Sequence, residues 1–234
     1  MALPKLNKPI FEIEIPSMKK KVTYNPFTVK EEKILLIAQE SKDVDQMILA
    51  IKQILNNCLH DVDVDQLAIF DLEYLLINLR AQSVDNTFVF TVEDPDTNEK
   101  IQLDIDINDI EVKFQEGHTN RIQLDADTVL LMKYPSVKQL NQIMGLATNG
   151  DTQKMFEVMT SCFDVLAMGE DVYKFEDYTE KEIAEFAESM SGSSIQQVRK
   201  FFETMPSMYY EKRYKNSKGD EKIFVVKGTE TFFI

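Results

Sequence analysis

One stretch, Asp65 to Ser83 (DQLAIFDLEYLLINLRAQS), constrains the fold more than any other. Turned at about 100° per residue, it places its polar side chains on two narrow, roughly opposed stripes, Asp71 with Asn78 and Glu73 with Arg80. Two apolar arcs lie between them. One carries Leu67, Phe70, Tyr74 and Ile77, the other Ala68, Leu72, Leu75, Leu76 and Leu79. A helix with a single apolar stripe lies on a surface, whereas one with two must be covered on both sides. This segment is therefore expected at the middle of a helical core. Asp65 is the expected N-cap, and Arg80 in the last turn suits the negative end of the helix dipole. Where the helix meets a partner protein, the candidate contacts are Phe70, Tyr74 and Arg80.

Before this stretch the chain reads as a hairpin and two helices. Ile10 to Ile15 alternates apolar and acidic residues, Pro16 to Met18 turn the chain, and Lys21 to Tyr24 return it. Thr28 and Glu31 have capping-box spacing and open a helix to about Glu40. A second helix, Asp43 to about Asn57, carries Val44, Met47, Ile48, Ile51, Ile54, Leu55 and then Cys58 at helical spacing. The alternate aspartates 61, 63 and 65 lack the glycine and the later bidentate acid of a calcium loop and read as a solvated, helix-capping loop.

After Ser83 the periodicity changes to alternation. TFVFTVE and KIQLDIDI flank the turn segment DPDTNE, IEVKF is a further strand, and the chain returns at Ile122 and Leu124. Residues 85–131 are thus expected to form a small antiparallel sheet inserted between two helical regions. The second helical region starts near Ser136, breaks at residues 148–150, and continues as a helix from Asp151 to about Met168. Thr179 with Glu182, and Ser194 with Gln197, read as two more capping boxes, and Pro206 stops the last helix. A closing hairpin, MYYEKRY and IFVVK about NSKGD, leads to the tail GTETFFI. Its Phe232 and Phe233 need burial on the chain itself or on a partner, which makes them candidate contacts as well.

Composition bears on function chiefly through charge. A formal charge of −14 and a pI near 4.6 disfavour nucleic-acid binding, which a patch of Lys19, Lys20, Lys21, Lys212, Arg213 and Lys215 would be needed to restore. Cys58 and Cys162 lie in apolar patterns and read as buried small hydrophobes of a protein folding in a reducing cytoplasm. With His60 and His118 the only histidines, neighbouring residues assemble no zinc site. The start lacks the cationic-then-apolar pattern of a signal peptide, and no run reaches the roughly 18 apolar residues of a membrane helix. Phosphate-loop, nucleophile-elbow and zincin motifs are not found. His118, in EGHTN, reads as a surface or turn residue rather than a general base. No catalytic residue, cofactor or metal is expected, although an enzyme or host-directed regulator with an unrecognised site remains the alternative of a different class.

Several stretches together resemble the baseplate proteins of T-even-type tailed phages, the small hub subunit and hub-assembly proteins of myoviruses. They are the N-terminal hairpin joined to PFTVKEEKILLIAQES at Pro26 to Ser41, FDLEYLLINLRAQSV at Phe70 to Val84, MKYPS at Met132 to Ser136, FFETMPSM at Phe201 to Met208 and the Gly228 to Phe233 ending. The resemblance implies a non-enzymatic morphogenesis protein that binds other tail proteins to build the baseplate hub. Implied partners are hub and tape-measure proteins, without nucleic acid or membrane and with the oligomeric state open. The alternative within the resemblance is a transient tail-assembly chaperone for the tape-measure or a hub protein that leaves before the virion matures. Its expected place is the host cytoplasm during assembly, and the tail baseplate of the virion if it is retained.

The expected fold is α+β: a mainly helical body with an N-terminal β-hairpin, a small inserted antiparallel sheet and a C-terminal β-hairpin. Its expected regions are 1–84, 85–131 and 132–234.

Overall fold

A computed structural model describes residues 7–83, 87–143 and 151–227, without the side chains of residues 88, 90, 226 and 227. The chain divides into two units, one formed by Met1–Lys113 with Ser207–Ile234 and the other by Phe114–Pro206. The fold is α+β.

The first unit opens with the expected hairpin, β1 (Phe11–Ile15) and β2 (Lys20–Tyr24), in a register that sets Ile13 opposite Val22. Ile15, Val22 and Tyr24 are buried while Glu12 and Glu14 face water, the alternation expected of a sheet covered on one side. Thr28 caps α1 (Val29–Ser41) in a full capping box: its amide donates to Glu31 Oε2 at 3.0 Å. Burial alone would raise the Glu31 carboxyl, yet the hydrogen bonds from Thr28 hold it below the ordinary range. Asp43 caps α2 (Val44–Cys58) through the amides of Asp45 and Gln46.

The central helix, α3, runs Ile69–Ala81. Asp65 is not its N-cap. A short 3₁₀ turn at Val64–Gln66, capped by Asp63, intervenes, and the N-cap position falls to Ala68. Ala68 offers no side-chain cap, and Asp71, the third residue of the helix, reaches back to accept from the Ala68 amide at 3.2 Å, the reciprocal half of a capping box. Nine of the helix's 13 side chains are buried, including Leu72, Leu75, Leu76 and Leu79 on one arc and Phe70 and Ile77 on the other. The helix is covered on both sides, as its two arcs require. Ile77 and Ala81 pack with Ile105, Ile107, Ile110, Met208 and Tyr210, and α3 also touches α2.

The strands expected within 85–131 join three different sheets. β3 (Thr87–Glu93) and β4 (Lys100–Asp106) pair as the expected hairpin, whereas β5 (Glu111–Lys113) joins the C-terminal hairpin of β10 (Ser207–Lys215) and β11 (Glu221–Lys227) in the order β11-β10-β5. The second unit holds β6 (Arg121–Gln123), β7 (Thr128–Met132), β8 (Phe163–Met168) and β9 (Asp171–Lys174) as a four-stranded antiparallel meander. Among the described residues it also holds the helices α4 (Thr152–Ser161), α5 (Glu180–Ser189) and α6 (Gly192–Glu203). Leu130, Phe163, Phe175, Val198 and Phe201 centre its core.

Two expectations fail in this unit. The helix from Asp151 stops at Ser161, and FDVLAM continues as β8, because Gly169 at φ 60° turns the chain after Met168 into a two-residue hairpin with β9. The last helix is capped by Ser191 rather than Ser194, which instead sits inside the first turn and donates its amide to Ser191 Oγ at 3.2 Å. Thr179 and Glu182 do form their capping box.

Asp71 fastens the N-terminal hairpin to α3. Its fully buried carboxylate accepts from the Ser17 amide at 2.9 Å and the Ser17 hydroxyl at 2.5 Å, in addition to Ala68. Burial outweighs these donors and holds the carboxyl above its ordinary range. Asp71→Ala, which leaves two amides without their acceptor, is expected to cost about 2–4 kcal/mol in urea denaturation. Because the folded state prefers the protonated acid, this group's contribution is complete below the ordinary aspartate range and is lost as pH rises through the raised value. The stability of the wild type relative to Asp71→Asn should accordingly improve as pH falls from about 7 towards about 4.

Candidate functional site

The residues singled out on α3 are held mainly by their own unit. Phe70 is only 6% exposed, and Tyr74 lies against the cluster of Ile77, Ile105 and Met208 with its hydroxyl pushed up by burial and then by the nearby Glu14. Arg80 is partly exposed in the last turn. Phe232 and Phe233 lie outside the described residues. Of the cationic side chains at the hairpins, Lys212 donates to the Asp104 carbonyl and Lys215 pairs with Glu221 at 3.7 Å.

Both cysteines are free and buried, as expected, and burial pushes the Cys58 thiol to about 11 and the Cys162 thiol to about 12. Neither thiol offers a thiolate near neutral pH. Among the described residues no group of three or more His, Cys, Asp or Glu is placed to hold a metal, and no helix is long and apolar enough to cross a membrane.

His118 closes a turn, its amide donating to the Gln115 carbonyl at 3.0 Å, and is half-buried. The Thr204 hydroxyl donates to the Lys200 carbonyl at 2.7 Å, so its oxygen is left to accept from His118 Nδ1 at 2.9 Å. His118 Nε2 then accepts from the Tyr134 hydroxyl at 3.0 Å. The imidazole also stacks on Phe201, centroid to centroid 5.3 Å, and on Tyr134 at 5.7 Å. With both nitrogens engaged, it positions a loop against α6 and the segment after β7. Sequence spacing could not show this, since Thr204 is 86 residues away.

The second unit also carries an apolar groove of about 290 Å³, which sequence inspection missed. Leu166, Phe175, Ile183 and Phe186 form its inner wall, and Met168, Tyr173 and Tyr178 stand at its mouth, 47%, 38% and 42% exposed. Three elements build it: β8, β9 with the 3₁₀ turn Phe175–Asp177 after it, and α5. Reading FDVLAM as helix hid the groove, because only the β8–β9 hairpin brings Met168 and Tyr173 to the same side as α5. Glu182 supplies the acidic edge, and the Thr179 amide and hydroxyl hold its carboxyl below the ordinary range. That volume falls just below the roughly 300–1,000 Å³ of small-molecule pockets, a size suited to an inserted side chain.

A family model described as "T4 bacteriophage base plate protein" matches residues 8–234. No curated protein and no solved structure matches the chain.

Burial holds the His118 imidazole below its ordinary value. The folded state therefore prefers the neutral ring, and the associated stability is complete above the unfolded value of about 6.5 and is lost as pH falls below it through the lowered folded value. In urea denaturation the wild type should lose stability relative to His118→Gln between about pH 7 and about pH 5; a constant difference would show that the ring does not titrate differently on folding.

Proposed function

Because this chain belongs to the T4 bacteriophage base plate protein family, we propose that it is a non-enzymatic morphogenesis protein that builds the hub of the phage baseplate by binding other tail proteins. The observation that carries this reading is the extent of the match, which takes in both units of the chain. A role in baseplate structure or assembly follows from the family itself. The assignment to the hub, and to hub and tape-measure proteins as partners, adds the resemblance of the stretches at 26–41, 70–84, 132–136 and 201–208. The partner contacts of this reading are Arg80 and the exposed edge of Tyr74 on α3, together with Phe232 and Phe233, while Phe70 supports the helix from beneath.

A second reading, a chaperone that shields the tape-measure or a hub protein and then departs, draws on the open apolar groove of the second unit. Quantitative mass spectrometry of purified particles, with cross-linking of isolated baseplates, separates the two. Fixed stoichiometry with cross-links to central hub proteins is the expected result. Cross-links only to peripheral baseplate proteins would overturn the hub assignment, and presence only in lysate, bound to the tape-measure protein, would favour the chaperone. Replacing Phe232 and Phe233 with Ser should weaken capture of the identified partner at least about tenfold with Tm nearly unchanged; a large fall in Tm would instead make the tail part of the core.

A further inference from the structure

We propose that the groove between the β8–β9 hairpin and α5 is a docking site for a basic amphipathic segment of a partner protein, one that inserts an apolar side chain and surrounds it with Lys or Arg. This deepens the reading of the chain as a protein-binding baseplate component and rests on it.

Two independent features specify the occupant. The first is shape and polarity. Phe175 and Leu166 are buried beneath the groove, while Met168 and Tyr173 remain open to solvent at its mouth, and Val172 beside them is 66% exposed. Large apolar side chains left together around a concavity favour insertion of another apolar side chain, as in helix-in-groove recognition. Met168 suits this role because its unbranched thioether adapts to the shape it meets.

The second feature is charge. Residues 164–188, which build the groove, carry nine carboxylates against two lysines, a balance of −7 and half the formal charge of the whole chain. All nine carboxylates are exposed. Both lysines are already engaged, Lys174 with Glu176 and Lys181 with Glu185, each at 3.6 Å. Glu182 stands at the groove's edge, held in place by the Thr179 amide and hydroxyl, which donate to its Oε2 at 2.8 and 2.7 Å. An acidic or neutral apolar segment would meet this field unfavourably or indifferently. A segment whose apolar anchor is flanked by cations gains both burial and attraction, and the attraction also speeds encounter.

The test uses the full-length chain and three labelled helical peptides of about 18 residues: one of Leu and Lys, one of Leu and Glu, and one of Ser and Lys. Fluorescence anisotropy near physiological salt, where long-range attraction is screened beyond about 8 Å, measures each affinity. The Leu/Lys peptide is expected to bind at least about tenfold more tightly than either of the others. Equal binding of Leu/Glu would overturn the charge argument, and equal binding of Ser/Lys would overturn insertion.

Met168→Lys with Tyr173→Lys should weaken Leu/Lys binding at least about tenfold, while Val29→Lys with Leu36→Lys, an equal charge change on the exposed face of α1, should leave it within about twofold. Equal weakening by both pairs would reduce the binding to net charge and overturn the site. If the groove variant fails to fold, methyl NMR of the wild type decides: a shift at Met168 but not at Met155 on adding the Leu/Lys peptide supports the site, and the converse or no shift overturns it. Particle composition tests the baseplate reading separately, so a virion component whose peptide binding ignores the groove loses only this inference.

Discussion

Burial of both apolar arcs of α3 is the constraint on which the first unit depends. A helix with two apolar arcs can be satisfied only by elements on both sides, and here α2 and the strands β1, β5 and β10 all touch it. Burial of both arcs also takes the polar stripe positions Asp71 and Glu73 out of water, at 0% and 4% exposure. A carboxylate in that situation is costly unless donors surround it. Asp71 finds them in Ser17, so the same burial that makes α3 central also ties the N-terminal hairpin to it.

Glu31 and Asp94 face the same problem, and there the hydrogen bonds outweigh burial, as they do not at Asp71. Glu31 caps α1 and accepts from Asn57 of α2 at 3.3 Å, joining two helices through one buried carboxylate. Asp94, buried in the turn between β3 and β4, accepts from the amides of Asp96 and Thr97 and from the Thr97 hydroxyl, and receives the Tyr214 hydroxyl of β10 at 3.0 Å. These hydrogen bonds hold its carboxyl below the ordinary range even though burial acts the other way. In a chain so rich in acids, local amides satisfy a carboxylate and leave one lone pair to reach a distant element. Acidic composition therefore contributes to tertiary structure here as well as to surface charge.

Most of this architecture was legible in the sequence where a single period dominates. The stripe of α2, the alternation of β3 and β4 and the capping boxes at Thr28 and Thr179 each depend on contacts within a few residues, and each was found near its observed bounds. What was missed depends on distant partners or on competing periods. Val165 and Leu166 fit a helical stripe as well as a strand, and the decision lay with Gly169 and with the pairing of Leu131 to Val165 across the sheet. Asp65 looked like a cap because it is an aspartate before an apolar run, but Asp71 serves the same amide from inside the helix. The groove was invisible for the same reason that β8 was, since its lining comes from three elements whose proximity is set by strand pairing.

Charge and shape act together on the second unit's surface. An apolar concavity left open in a concentrated protein invites pairing with a copy of itself, because the patch is complementary to any apolar surface. Two such faces brought together here would also bring together two sets of carboxylates, nine on each 164–188 segment, and like charges across an interface oppose association. The acids thus discourage the groove from closing on a second copy while leaving its apolar lining available to a cation-flanked anchor. Selectivity of this kind comes from penalising the wrong occupant as much as from attracting the right one. It also weakens with salt, which screens the exposed charges but leaves the apolar burial intact.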